Sequence, residues 1–286
     1  MTLHVRPAPI ILSILPVLIS FLPGCTVVRQ QAYYVSPFNG NTGNYQTIPM
    51  QADTTRQAFY ASAAFLTGSA NTRGNDHFNA LHTSLSRSQN LGILQACYGV
   101  DLTLGSYFTG IWDSVGGAGF GISYAPPQNN SLLNRYAGNH FFGGAGFNGA
   151  MNLVIPFEKR EWRIIGAEIS LRHEFGNYLR FRKELPDSAA TFDAKSSFFG
   201  AAGLTSEFIG QTRNGQLGFK WAYGWVLGSE YQNLQIYDNT TDHFLRYQYF
   251  NFTFHYTYTR YTAYLQISSA EKATTLHLGF DYRLTR

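Results

Sequence analysis

Thr275-Leu276-His277-Leu278-Gly279-Phe280-Asp281-Tyr282-Arg283-Leu284 is the stretch that decides the fold. Leu276, Leu278, Phe280, Tyr282 and Leu284 fall on one face of an extended chain, and Thr275, His277, Gly279, Asp281 and Arg283 on the other. The strand therefore faces two solvents. One face requires an apolar surrounding and the other water or polar partners, which is what a membrane-spanning barrel asks of every strand.

Working outward, the same alternation recurs in nine further segments: Gln57 to Gly68, Phe78 to Ser88, Leu91 to Tyr107, Phe141 to Ile155, Trp162 to Phe175, Phe198 to Gly210, Gln216 to Gly228, Phe244 to Thr257 and Tyr261 to Ser268. Each is close to the roughly ten residues that a tilted transmembrane strand needs. The connectors sort into two kinds. Short ones follow the even strands: Gln89-Asn90, Pro156 to Glu161, Gln211 to Gly215 and Tyr258 to Arg260. Long ones follow strands three, five and seven: Phe108 to His140, Gly176 to Ser197 and Ser229 to His243. Tight turns at one end and long loops at the other predict an antiparallel up-and-down transmembrane β-barrel of about ten strands, with both ends of the barrel sequence in the periplasm. Asn214-Gly215 predicts a tight type I′ hairpin, because both residues tolerate positive φ.

A soluble barrel hung from a lipid would show the same period, and side-chain size separates the two. In Gln216 to Gly228 one face carries Leu217, Phe219, Trp221, Tyr223, Trp225 and Leu227, while the other carries Gly218, Lys220, Ala222 and Gly224. A narrow interior holds the small face, and lipid accepts the bulky one. Composition agrees: aromatics are 16% and charged residues 13%, which suits a barrel with aromatic girdles better than a cytosolic enzyme. A net charge of +4 without a basic cluster gives no reason to expect nucleic acid as a partner.

The last strand resembles the C-terminal signal that bacterial barrel-assembly machinery reads, through polar His277, Gly279, Tyr282 and Leu284, although Thr285 and Arg286 follow where an aromatic often closes the chain. That machinery is the expected assembly partner. At the other end, Arg6 is a short basic region and Ile10 to Leu22 an apolar one. Leu22-Pro23-Gly24-Cys25 resembles a bacterial lipobox, with Pro23 a departure from the usual small or β-branched residue; an ordinary secretory peptide is the alternative. The resemblance implies acylation at Cys25 and, with Thr26 rather than Asp behind it, onward sorting to the outer membrane. With 2 Cys in the chain, a lipid on Cys25 leaves Cys97 without a disulfide partner, as a small buried side chain. The expected organisation is residues 1–24 as lipoprotein signal peptide, 25–56 as periplasmic linker with a part that plugs the barrel, and 57–286 as outer-membrane barrel.

On this register the lumen receives Asp101, Glu168, Arg172, Glu174, Glu207, Lys220, His255, His277, Asp281 and Arg283. Acids and bases in a narrow lumen are expected to pair, because an unpaired charge there loses much of its hydration. Read as a site instead, Glu168, Arg172 and Lys220 would be the charged wall of a narrow pathway. A wide porin is not expected from about ten strands, because porins use about sixteen or more to open a channel.

Asp76-His77 and Asp242-His243 fall near the external ends of strands two and eight, where a rim hydrolase similar in architecture to the omptin proteases would place its acid and base. His82 and Ser84 share a strand face, the arrangement a barrel phospholipase or deacylase would use. His173 points outward among Ile169, Leu171 and Phe175, toward the headgroups. Metal-ligand spacings, a phosphate-cradling glycine loop and a nicotinamide fingerprint are missing, so no metal or cofactor is expected. The chain is reminiscent of uncharacterised outer-membrane proteins of Gram-negative bacteria. The expected role is structural, adhesive or accessory, exercised by long external loops on a ligand or partner, above all Phe108 to His140 with Trp112, Tyr124 and Tyr136. A transport pathway and a rim hydrolase are the alternatives.

Overall fold

The structure is a computed structural model that describes residues 26–29, 34, 36–38, 47, 56–70, 76–111, 116–118, 122–125, 130–185, 196–227, 248–270 and 273–285. In chain order the elements are β1 (Thr26–Arg29), β2 (Gln57–Ala70), β3 (His77–Leu91), β4 (Leu94–Thr109), β5 (Gly116–Ala118), β6 (Ile122–Ala125), α1 (Asn130–Arg135), β7 (Gly138–Phe157), β8 (Arg160–Phe175), α2 (Asn177–Glu184), β9 (Phe198–Gln211), β10 (Gln216–Leu227), β11 (Gln248–Tyr258), β12 (Tyr261–Ala270) and β13 (Ala273–Arg283). Ten of the strands close into one antiparallel barrel in the order β2-β3-β4-β7-β8-β9-β10-β11-β12-β13, with β13 returning to β2. These ten are the segments that the alternation marked.

Closure is sealed by the deciding strand, β13, which pairs with both β12 and β2, so no barrel edge is left to template aggregation. Its apolar face points outward: Leu278 is 55% exposed and Phe280 48%, whereas His277 and Asp281 are buried inside. The same holds around the barrel, where Leu81, Leu102, Ile169, Leu204, Leu217 and Phe252 are all exposed. Trp162, Tyr256, Tyr258 and Tyr261 ring the turn end, the interfacial position such rings favour. An apolar exterior around a polar interior excludes the soluble arrangement, which needs the reverse.

The turns differ in detail from expectation. β3 and β4 meet at Gly92-Ile93, three residues beyond the expected Gln89-Asn90, because Gly92 takes the positive φ of 79°. Asn214 and Gly215 do not form a type I′ turn, since neither is at positive φ. The chain instead crosses by the loop Thr212–Gly215, closed by Thr212 N–H and Oγ1 donating to the Gly215 carbonyl at 2.7 and 2.9 Å. The side-chain bond from Thr212 stabilises a wider loop than the sequence pair alone suggests.

β8 departs from strict alternation. Glu161 and Arg163 are buried, and so are Gly166, Ser170, Arg172 and Glu174, which lie on the opposite parity. A bulge between Arg163 and Gly166 provides the change of phase. On the β7 side, Leu153 pairs with Ile165 and Val154 with Arg163, so Ile164 is the extra residue. Ser206 packs into the irregularity, donating to the Arg163 carbonyl at 3.1 Å and accepting from Trp162 Nε1 at 3.2 Å.

Candidate functional site

The lumen holds the clustered polar chemistry, and it is layered. Nearest the turns, Arg163 donates from Nε to Glu161 at 2.9 Å and to Gln95 at 2.8 Å, and from Nη1 to Glu207. Glu207 also meets His255 Nε2 at 2.9 Å. Farther up, Lys220 pairs with Glu168 at 3.0 Å, and Arg172 with Asp101 at 2.7 Å. Asn148 holds the second oxygen of Asp101 at 2.7 Å. At the loop end Arg182, from α2, pairs with Glu174 at 2.6 Å.

Every lumen charge marked in the sequence faces inward. Glu168, Arg172 and Lys220 do not form one wall: Arg172 belongs to Asp101 and Lys220 to Glu168. Asp281 accepts a hydrogen bond from the Thr47 hydroxyl, and His277 Nε2 lies 3.0 Å from Thr275 Oγ1. Arg283 lines a cavity of about 220 Å³ that opens at the turn end with Thr47, His255, Arg213 and Arg260. Glu161, Arg163 and Arg182 were not marked. Strict alternation along β8 assigns the first two to the wrong side of the bulge, and Arg182 arrives from a helix folded into the barrel mouth.

Small residues create the room for these contacts. Tyr249 on β11 reaches over Gly224 and Gly203 to donate to Glu168 at 3.1 Å. A Cβ at Gly224 would stand 2.5 Å from that ring. Such a distance is incompatible with packed atoms, so glycine is required at this crossing.

Above the ion pairs lies an aromatic layer: Phe78, Tyr107, Phe142, Tyr178, Phe181, Phe199 and Tyr249 are all buried. Tyr107 and Tyr178 stack with centroids 3.9 Å apart, and the Arg182 guanidinium lies 5.1 Å over Tyr178. Burial, and then the neighbouring Tyr107, hold the Tyr178 hydroxyl well above its ordinary pKa.

The N-terminal segment enters this interior. Tyr34, Ser36, Pro37, Phe38 and Thr47 are buried inside the barrel. Thr47 accepts at its carbonyl from Ser88 Oγ at 2.6 Å. The Phe38 ring lies under Arg172 at 4.9 Å and against Phe142 at 5.7 Å, in space that a side chain at Gly144 would occupy. Ser36 donates to Glu174, and Tyr34 meets Phe181 edge-on at 5.0 Å. Cys97 is buried beside Ser88 at 3.4 Å, facing the lumen rather than lipid.

The candidate catalytic groups are engaged otherwise. Asp76 accepts from the Tyr107 hydroxyl at 3.1 Å and from Gly110 N–H at 2.9 Å, anchoring the base of the β4–β7 loop, while His77 stacks on Phe108 at 4.8 Å. Asp242 and His243 lie outside the described residues. His82 bonds Thr103 at 2.9 Å and Ser84 bonds Ser62 at 2.5 Å, so the two share a face without forming a nucleophile pair. His173 is exposed on the outer face, near Phe198.

No protein-family model matches this chain, and no curated protein matches its sequence. Among solved structures, it resembles Neisserial surface protein A at 11% identity over 80% of this chain and 98% of that one, with a TM-score of 0.33. It also resembles an outer-membrane channel from Pseudomonas putida F1 at 10% identity over 84% and 100%, with a TM-score of 0.40. The β domain of a Bordetella autotransporter is similar at 8% identity over 80% and 100%, with a TM-score of 0.38. The fold class rests instead on the closed ten-strand barrel itself, with its apolar exterior and polar interior.

Proposed function

We propose that this protein is an exported outer-membrane lipoprotein, acylated at Cys25, whose barrel is a closed scaffold for its loops. Its role on this reading is structural, adhesive or accessory. Its partners are outer-membrane lipid around the apolar belt, the barrel-assembly machinery at the β13 strand, and a ligand or protein met outside the cell by the loops.

The observation that carries this reading is the filled lumen. The Arg163–Glu207 cluster, the Lys220–Glu168 and Arg172–Asp101 pairs, the aromatic layer and the N-terminal residues succeed one another along the barrel axis. Buried ion pairs with their hydrogen bonds satisfied act as packing, and removing one partner leaves an uncompensated charge. Such an interior closes a barrel of this size, and the remaining surface with variety in shape is the loop end. There the β4–β7 connection is itself structured, carrying β5, β6 and α1, and is tied at its base by Asp76 and by Thr109 donating to the Tyr136 carbonyl at 2.7 Å.

Purified protein in a planar bilayer tests the closed scaffold. No conductance steps are expected; steps that change when Glu168 or Lys220 is neutralised would replace this reading with a transport pathway. Shortening the Phe108 to His140 connection is expected to abolish partner capture by intact cells while the barrel still assembles.

A further inference from the structure

The described N-terminal residues follow an order along the barrel axis. Arg56, beside the start of β2, is at the turn end, where its carbonyl accepts from Asn90 N–H at 2.9 Å. Thr47 lies above it, between Ser88, Cys97 and Asp281. Phe38 and Ser36 are higher, at the level of Arg172, Gly144 and Glu174. Tyr34 reaches Phe181 of α2, in the mouth on the loop side. Each step toward the N-terminus is a step from the turns toward the loops.

The last step is β1, which pairs in parallel with β6, Thr26 opposite Ile122 and Arg29 opposite Ala125. β6 belongs to the long β4–β7 connection, and β5 completes a small sheet on its other edge. Four residues lie between Ala125 and α1 and four between Arg29 and Tyr34, five steps of chain in each case, a reach of at most about 18 Å. β7, with 20 residues, runs about 65 Å from the loop end toward the turns. Since Leu133 of α1 and Tyr34 both belong to the core cluster at the mouth, β1 is confined to the loop side.

We propose that the N-terminal segment threads the lumen from the turn end to the loop end, so that the residues around Thr26, with the acyl chains of Cys25, emerge on the outer face of the membrane. The inference rests on the outer-membrane lipoprotein reading for its orientation and lipid, but the threading itself rests on the contacts above. It makes the segment both plug and tether: the barrel crosses the membrane with its strands, and its own N-terminal chain crosses again through the interior. The acyl chains then enter the outer leaflet, beside the loops, rather than the periplasmic leaflet. The β1–β6 pairing fixes the exit, because it joins the emerging backbone to a loop.

Three variants, each with one epitope tag, test this in intact cells: between Thr26 and Val27, in the Thr212–Gly215 turn, and beside Ser131 of α1. The expected result is antibody access to the first and third tags in intact cells, and to the turn tag only after permeabilisation. Access to the Ser131 tag but not to the Thr26 tag overturns the threading and leaves the orientation standing. Access to the turn tag but not the Ser131 tag overturns the orientation, and the outer-face exit with it. Where the Thr26 tag prevents assembly, Val27→Cys with Ser123→Cys replaces it. These register partners are expected to form an internal disulfide on oxidation of washed membranes, seen as a mobility difference without reductant. An assembled barrel that forms none overturns the proposal.

Discussion

Ser36 donates a 2.6 Å hydrogen bond to Glu174 Oε2 across 138 positions of chain, and that same oxygen is the one paired with Arg182. One carboxylate thus joins the N-terminal segment, strand β8 and helix α2 at the barrel mouth. With Arg182 fully buried, the contact between plug and wall is shielded from water, where a charge-assisted hydrogen bond is strongest.

Deleting residues 34–47 removes Ser36 from Glu174, Phe38 from Arg172 and Thr47 from Asp281 together, while the Arg182–Glu174 and Arg172–Asp101 pairs remain on the wall and in the mouth. The deletion variant is expected to conduct in planar bilayers while the full chain stays silent. A deletion variant that migrates as a heat-modifiable barrel yet stays silent would show that the wall side chains close the lumen unaided.

Arg163 is fully buried and serves three acceptors, Glu161, Glu207 and Gln95. Arg163→Met leaves two carboxylates facing each other and is expected to cost about 3–5 kcal/mol of stability, in the range for breaking one side of a buried pair. Urea unfolding of the protein in lipid vesicles measures it. Adding Glu161→Gln and Glu207→Gln to Arg163→Met should recover part of the loss; a single variant within about 1 kcal/mol of the parent would mean that the cluster contributes little.

Gly224→Val drives a side chain into Tyr249, and the expected result is a sharp fall in the fraction of protein that assembles, read as the unboiled, faster-migrating band. Tyr249→Ala in the same chain should restore assembly by vacating the space. If Gly224→Val assembles normally, the crossing of Tyr249 over Gly224 toward Glu168 is not required.

Leu278, at 55% exposure on β13, tests which face meets lipid. Leu278→Arg is expected to destabilise the barrel by about 2–4 kcal/mol in vesicles, as a charge near the bilayer midplane does. Thr274→Arg, at the loop end of the same outward face, should cost much less. Equal and small effects at both positions would fit a water-exposed exterior instead.

The ten strands, the closed antiparallel barrel and the direction of every marked lumen charge were legible in the sequence. Alternation with a period of two is a local property, and the contrast between Trp221 or Phe252 on one face and Gly224 or Asn251 on the other tells outside from inside. Glu161 and Arg163 escaped because the bulge after Arg163 shifts the phase of β8, and no residue type within that stretch announces the extra residue. Arg182 escaped because helix α2 lies in a loop that the strand period does not reach.

Local pattern thus determined the barrel: which residues form strands, which face meets lipid, and at which end the turns lie. Tertiary structure alone decided the partners. Arg172 chooses Asp101, Lys220 chooses Glu168, and Ser36 finds Glu174, because closing the barrel sets distances between strands far apart in sequence. The path of the N-terminal segment belongs to the same category. Its residues carry no period, so only the shape and charge of the closed lumen specify where Phe38, Ser36 and Thr47 can be buried with their polar groups satisfied.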